Sequence, residues 1–195
     1  VREAYIAGLE DLARSAGDVS KISSVASFFV SRVDTAVDGL LEERIAEGQD
    51  ELGALLGKTA VANAKVAYQA FKTTFDGQRF AALGAKGARV QRPLWASTGT
   101  KNPAYSDVIY LDSLIGPDTV NVVPPAALTA FIDHGHAVNT LEQGVEEAQG
   151  AMQALGSAGI NIDQVTDKLL ADGLKGFTDS FEKLIDNIED KKARL

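Results

Sequence analysis

The chain has 195 residues, of which 45% are hydrophobic and 24% charged, and its 27 acidic and 19 basic side chains give a formal charge of −8. This composition is typical of a globular protein. The sequence contains no apolar run of about 18 residues and no signal-peptide pattern at its amino end, so we predict a cytoplasmic protein without a membrane partner.

Two residue types further restrict the chemistry. The absence of cysteine excludes disulfides, thiolate metal ligands and a cysteine nucleophile. The two histidines, His134 and His136, lie two positions apart without a third ligand, so they predict a helix end and turn rather than a metal site. An acidic pI of about 4.8 also argues against a nucleic-acid partner.

The amino end has helical periodicity from its first residue. Val1 to Leu9 place apolar side chains at helical spacing, with no N-cap residue before them. Gly17 and Asp18 are predicted to end this helix. We therefore expect a chain that begins inside a helix.

Three short apolar segments predict strands. Lys21–Val30 is rich in apolar and β-branched residues, which favours a fully buried parallel strand. Val90–Ser97 is the second strand candidate, and Thr119–Val123, which stops at two prolines, is the third.

Helical patterns occupy the intervals between these strands and the rest of the chain. They are predicted through Val33–Leu41, over Lys58–Phe75, near Tyr110 and Leu111, over Pro125–Phe131, Glu142–Leu155 and Ile162–Leu170, and in a final helix from Phe177 to Ile188.

Strands that alternate with helices predict a parallel sheet, because each parallel pair needs a crossover connection. A (β/α)8 TIM barrel has eight strands and typically about 250 residues, whereas this sequence predicts only three strands. We therefore predict an α/β fold: the carboxyl-terminal part of a TIM barrel, with its last three β/α units and helical extensions. Residues 1–195 would then be one portion of a single barrel domain whose amino-terminal strands lie outside this chain.

Four segments resemble one known family, the transaldolases of the longer bacterial and plant type, also found fused to glucose-6-phosphate isomerase. The segments are residues 24–35 (SVASFFVSRVDT), 92–98 (RPLWAST), 101–107 (KNPAYSD) and 115–121 (IGPDTVN). The resemblance implies a TIM barrel that transfers a dihydroxyacetone unit between sugar phosphates through a lysine Schiff base, without a metal or organic cofactor.

The family's Schiff-base lysine lies in a motif resembling Phe-Ile-Lys-Ile-Pro-Ala-Thr, which does not occur in these 195 residues. The family's early aspartate and glutamate are also absent. We therefore predict no catalytic residue in this chain and no activity of the chain alone. Lys65 is an alternative nucleophile, but it belongs to a row with Lys58 and Lys72 on a helix flank, which favours a structural role with its ammonium group in water.

The resemblance assigns substrate-binding residues to the ends of the first two strands. Ser27, Phe29 and Arg32 match the family's Ser-x-Phe-x-x-Arg pattern, in which the arginine binds the substrate phosphate. The alternative is an Arg32 side chain paired with a neighbouring acid such as Asp34.

Ser97 ends the second strand, and Lys101 follows where shorter transaldolases have a phosphate-binding arginine. Lys101 departs from that pattern in residue type and spacing, so it could equally be a solvated loop lysine.

The aromatic residues Trp95, Phe28, Tyr105 and Tyr110 flank strands and helices and are predicted to pack in the core rather than bind ligand.

Two function classes remain open. The first is the carboxyl-terminal part of a transaldolase, with sugar phosphates and an amino-terminal barrel segment as partners, in a possible homo-oligomer. The second is a non-catalytic fragment that only binds sugar phosphate or complements an amino-terminal piece.

Overall fold

Three parallel strands form a sheet in the computed structural model, which describes residues 1–194. They are β1 (Ser24–Phe29), β2 (Gln91–Ala96) and β3 (Val120–Asn121), arranged in the order β1-β2-β3. β1 pairs with β2 along its whole length, from Ser24 opposite Gln91 to Phe29 opposite Ala96. The three predicted strands and their parallel arrangement are therefore confirmed.

Helices occupy most of the remaining chain. They are α1 (Arg2–Arg14), α2 (Ser31–Ala46), α3 (Thr59–Phe75), α4 (Gln78–Gly84), α5 (Ile109–Asp112), α6 (Pro125–His134), α7 (Val145–Ser157) and α8 (Ile162–Ala193), with 3-10 turns at Val19–Lys21 and Asp50–Leu55. Within residues 1–194, no helix is both long and apolar enough to cross a membrane.

Local sequence signals determine where several helices begin. Pro125 occupies the first turn of α6, where its missing N–H group costs no hydrogen bond. The Asn161 side chain caps α8 by accepting hydrogen bonds from the backbone N–H groups of Asp163 and Gln164. These caps fix the orientation of the chain as it enters each helix.

The core lies between the sheet and the helices that connect its strands. Trp95 of β2 is 1% exposed, and its indole N–H donates to the Leu114 carbonyl over 3.1 Å. The Phe28 ring meets the Trp95 ring edge-on at 5.6 Å. Burial of Trp95 and Tyr110 confirms that these aromatic residues belong to the core.

The prediction that β1 is fully buried is wrong. Its side chains alternate between half-buried and exposed, with Val25 and Phe29 each more than two-fifths exposed. In the part of the chain that the structure describes, β1 is an edge strand paired only with β2, so one face and one edge lack a covering element.

Other differences concern the ends of elements. β3 has two residues instead of five, and α4 was not predicted at all. The two predicted carboxyl-terminal helices form one continuous 32-residue helix, α8, which contains Gly173 and Gly176.

Candidate functional site

The carboxyl ends of β1 and β2 are joined at the positions where sequence analysis places the site. The Ser31 N–H donates to the Ser97 carbonyl over 3.0 Å, and the hydroxyl oxygens of these two serines lie 2.9 Å apart. Ser97 has a φ of 56°, which marks the abrupt change of chain direction after β2. The two predicted segments therefore meet at one edge of the sheet.

Arg32 lies in the first turn of α2, directly after β1, and is exposed. Its guanidinium carbon is 4.9 Å from the centre of the Phe29 ring, a distance at which a cation and an aromatic face attract. Within residues 1–194, no carboxylate lies at ion-pair distance from this guanidinium. The charge of Arg32 is therefore available to an anion.

The alternative pairing of Arg32 with Asp34 is wrong. Asp34 is buried, and its two carboxylate oxygens accept hydrogen bonds from the Ala60 N–H over 2.6 Å and from the Tyr110 hydroxyl over 2.7 Å. Burial raises the pKa of Asp34, and these two donors partly oppose that effect. The carboxylate thus holds α2 against α3 and α5 and faces away from Arg32.

A groove of about 310 Å³ brings three predicted residues, Ser27, Phe29 and Arg32, together with α8. Asn63 and Thr166 add polar groups, and the apolar wall comes from α8 through Leu169, Leu170, Leu174 and Phe177. The groove therefore combines a free cation and small polar groups with a broad apolar wall.

Ser97 and Lys101 lie outside this groove. Ser97 is linked to it through Ser31, which directly precedes Arg32. Lys101 is exposed in the loop that follows β2 and does not line the groove. The structure thus brings three of the five predicted residues into one cavity and leaves the other two on the adjoining loop.

Sequence analysis missed two polar residues at the neighbouring strand ends. The fully buried Thr98 hydroxyl lies 2.8 Å from Asn121 Oδ1 and 3.2 Å from the Val122 carbonyl oxygen. These bonds tie the end of β2 to the end of β3. The available signal was that Thr98 directly follows the second predicted strand, because the carboxyl ends of strands are where TIM barrels place functional groups, whereas Asn121 lies in the middle of the third predicted strand and ends β3 only in the structure.

Lys65 has the structural role that sequence analysis favoured, but its ammonium group does not simply reach into water. It donates to the carbonyls of Thr140 and Gln143, over 3.1 and 2.6 Å. Burial lowers the pKa of Lys65, and the charge of Glu147 opposes this shift. The side chain thus anchors the segment that leads into α7.

The two histidines lie at the end of α6, as predicted. His134 Nε2 is 2.9 Å from Asp107 Oδ1, and its Nδ1 is 3.1 Å from Asp133 Oδ2. The contact with Asp107 connects α6 to the loop that follows β2. No cluster of three or more potential metal ligands occurs within residues 1–194.

Parallel strands joined by helices, with polar residues at their carboxyl ends, are the arrangement of TIM-barrel α/β proteins. The sequence model of the Transaldolase/Fructose-6-phosphate aldolase family matches residues 4–188, and the chain belongs to that family.

Curated relatives agree with this assignment. The chain is 48% identical to a transaldolase of Trichodesmium erythraeum, with 98% of this chain and 52% of the relative covered. It is 48% identical to a transaldolase of Mycolicibacterium smegmatis (95% and 50% covered) and 47% identical to one of Neisseria meningitidis (93% and 49% covered). The chain thus spans about half the length of these relatives.

Proposed function

We propose that this chain is the carboxyl-terminal portion of a transaldolase. The complete enzyme would move a dihydroxyacetone unit from a ketose phosphate, such as sedoheptulose 7-phosphate or fructose 6-phosphate, to an aldose phosphate in the pentose phosphate pathway. The Schiff-base lysine would come from an amino-terminal barrel segment, because the family's lysine motif is absent from these 195 residues. Ser27, Phe29, Arg32, Ser97 and Lys101 would contribute to sugar-phosphate binding.

The environment of Arg32 is the observation that carries this proposal. A guanidinium can form two parallel hydrogen bonds to phosphate oxygens and stays charged at any working pH. Arg32 is exposed, is stabilised over the Phe29 ring, and has no carboxylate partner among residues 1–194. Its position just beyond the carboxyl end of β1 is where barrel enzymes bind substrate.

A fused enzyme tests the proposal directly. Residues 1–195 would be joined to the amino-terminal half of the Trichodesmium erythraeum transaldolase. They would replace the part of that relative that is 48% identical to this chain. We expect transfer of the dihydroxyacetone unit from fructose 6-phosphate. Arg32→Ala should lower kcat/KM about 10- to 150-fold, because a charge-assisted hydrogen bond is worth roughly 1.5–3 kcal/mol.

Two controls make the result interpretable. Arg44→Ala removes a second arginine from the same helix, α2, away from the groove, and should leave kcat/KM unchanged. The relative's own two halves, rejoined through the same junction, show whether the junction permits activity. If that control is active and the fusion is not, the chain is the non-catalytic fragment of the alternative interpretation.

A further inference from the structure

The loop between β2 and α5, residues 97–108, is attached to α2 at several points. Its first residue, Ser97, bonds to Ser31 through backbone and side chain. Further along, the Tyr105 hydroxyl donates to Asp38 Oδ2 over 2.8 Å. Tyr110, just after the loop, donates to Asp34 on the same helix.

Tyr105 sits in a closely fitted position. The other oxygen of Asp38 accepts from the Gly57 N–H over 3.0 Å, so one carboxylate joins α2, the turn before α3 and the loop. Gly57 has a φ of +67°, and a Cβ there would lie 2.7 Å from the Tyr105 ring. The Tyr105 ring thus packs directly on the Gly57 backbone. Burial, followed by the hydrogen bond to Asp38, raises the pKa of Tyr105 to about 12, so the hydroxyl remains a donor at neutral pH.

Lys101 lies midway between the two attachments, four residues after Ser97 and four before Tyr105. Four residues span at most about 14 Å, which limits how far Lys101 can move from Ser31 and its neighbour Arg32. The loop is also closed internally, because the Thr100 hydroxyl donates to the Ser106 carbonyl over 2.9 Å and the Tyr105 N–H donates to the Asn102 carbonyl over 3.1 Å. The turn that carries Lys101 therefore moves as a unit with Tyr105.

We propose that Tyr105 and Asp38 are positioning residues that hold the Lys101 turn against α2, beside the strand ends where Arg32 lies, so that Lys101 adds a second cation to the sugar-phosphate site. The inference rests on the proposed function, because it concerns how that site acquires its second cation. Neither residue touches the substrate. They act by restricting the loop, and their loss weakens phosphate binding without changing the chemical step.

The first test measures loop mobility in the 195-residue chain by hydrogen–deuterium exchange. Tyr105→Phe removes only the hydroxyl and should speed exchange of residues 98–108. Tyr5→Phe is the matched control, because the Tyr5 hydroxyl also makes one bond, to the Arg89 carbonyl over 2.8 Å, at a distant position. Unchanged exchange in Tyr105→Phe would overturn the proposal.

The second test is a double-mutant cycle in the fused enzyme. Tyr105→Phe should raise KM for fructose 6-phosphate about three- to tenfold with little change in kcat, the loss expected for one hydrogen bond. In a Lys101→Ala background the same substitution should have no further effect, because Tyr105 acts through Lys101. Additive effects would overturn the inference alone, whereas an unchanged kcat/KM in Arg32→Ala would overturn the proposed phosphate site itself.

Discussion

Arg32 and Lys65 are cations in opposite environments. Arg32 is exposed and rests on an aromatic ring, while Lys65 is half-buried and donates to two backbone carbonyls. The lowered pKa of Lys65 would suit a nucleophile, but its hydrogen bonds occupy the ammonium group. Geometry thus separates a cation that is available to a ligand from one that stabilises the fold.

We therefore predict that Lys65 forms no Schiff base. Borohydride reduction of the 195-residue chain in the presence of fructose 6-phosphate, followed by peptide mass mapping, should show no sugar adduct on any lysine. The Trichodesmium erythraeum transaldolase, treated in parallel, serves as the positive control for trapping. An adduct on Lys65 would contradict both its structural role and the proposal that the nucleophile lies outside this chain.

The residues of the candidate site could be predicted where a family motif was continuous in sequence. Ser27, Phe29 and Arg32 fall in one such motif, and the structure brings all three to one groove. The partners of Asp34 could not be predicted, because Ala60 and Tyr110 lie 26 and 76 positions away. Only tertiary packing shows that the Asp34 side chain is buried between α2 and its partners on α3 and α5 and does not face Arg32.

At the scale of elements, α6 is connected to the loop after β2 by a pH-sensitive contact. Asp107 first, and then Asp133, raises the pKa of His134 above its usual 6.5. The folded state therefore binds the proton more tightly than the unfolded state. This contribution to stability is fully present below about pH 6.5 and is lost as pH rises through the elevated pKa of His134.

We expect the melting temperature of the chain to show this dependence. It should fall between pH 6 and pH 8 by more in the wild type than in His134→Gln, which lacks the titrating group. Asp107→Asn should make the fall in melting temperature between pH 6 and pH 8 smaller than in the wild type. It removes the larger cause of the raised His134 pKa while keeping the histidine. Identical pH profiles in all three proteins would show that the contact does not contribute to stability.

The elements themselves were predictable to the extent that their apolar patterns were strong. All three strands and most helices agree with those patterns. The exception is α4, which begins directly after Gly77 and has only seven residues, too few for a clear periodicity. The continuity of α8 was not predicted, although each of the two glycines inside it costs a helix only about 1 kcal/mol.

α8 carries an apolar stripe that is largely exposed within residues 1–194, although its first three members also form the wall of the groove. Its members recur at alternating intervals of four and three residues, the spacing of a helix–helix seam: Leu170, Leu174, Phe177, Phe181, Leu184 and Ile188. Phe177 is 75% exposed and Phe181 is 63% exposed. Such a stripe favours association with another apolar surface.

At the scale of the whole molecule, the uncovered face of β1 and the stripe of α8 predict that the isolated 195-residue chain self-associates. Size-exclusion chromatography with light scattering should show assemblies larger than a monomer, and circular dichroism should show a broad thermal transition. Phe177→Glu combined with Phe181→Glu should shift the distribution towards smaller species, because the charges oppose burial of the stripe.

The matched control changes the polar side of the same helix. Lys175 and Asp179 form an exposed ion pair there, and replacing both with alanine should leave the distribution unchanged. A monodisperse wild-type monomer with cooperative unfolding would instead show that residues 1–195 form an independent domain.

The order of the strands has a consequence for biosynthesis. Because neighbours in the sheet follow one another along the chain, each strand emerging from the ribosome finds the edge it must join already present. Gln91 bonds to Ser24 from 67 positions away, which corresponds to about 3–13 s of translation. β1 therefore spends several seconds on the nascent chain before β2 emerges, and the rate of translation between these strands sets how long its edge is exposed.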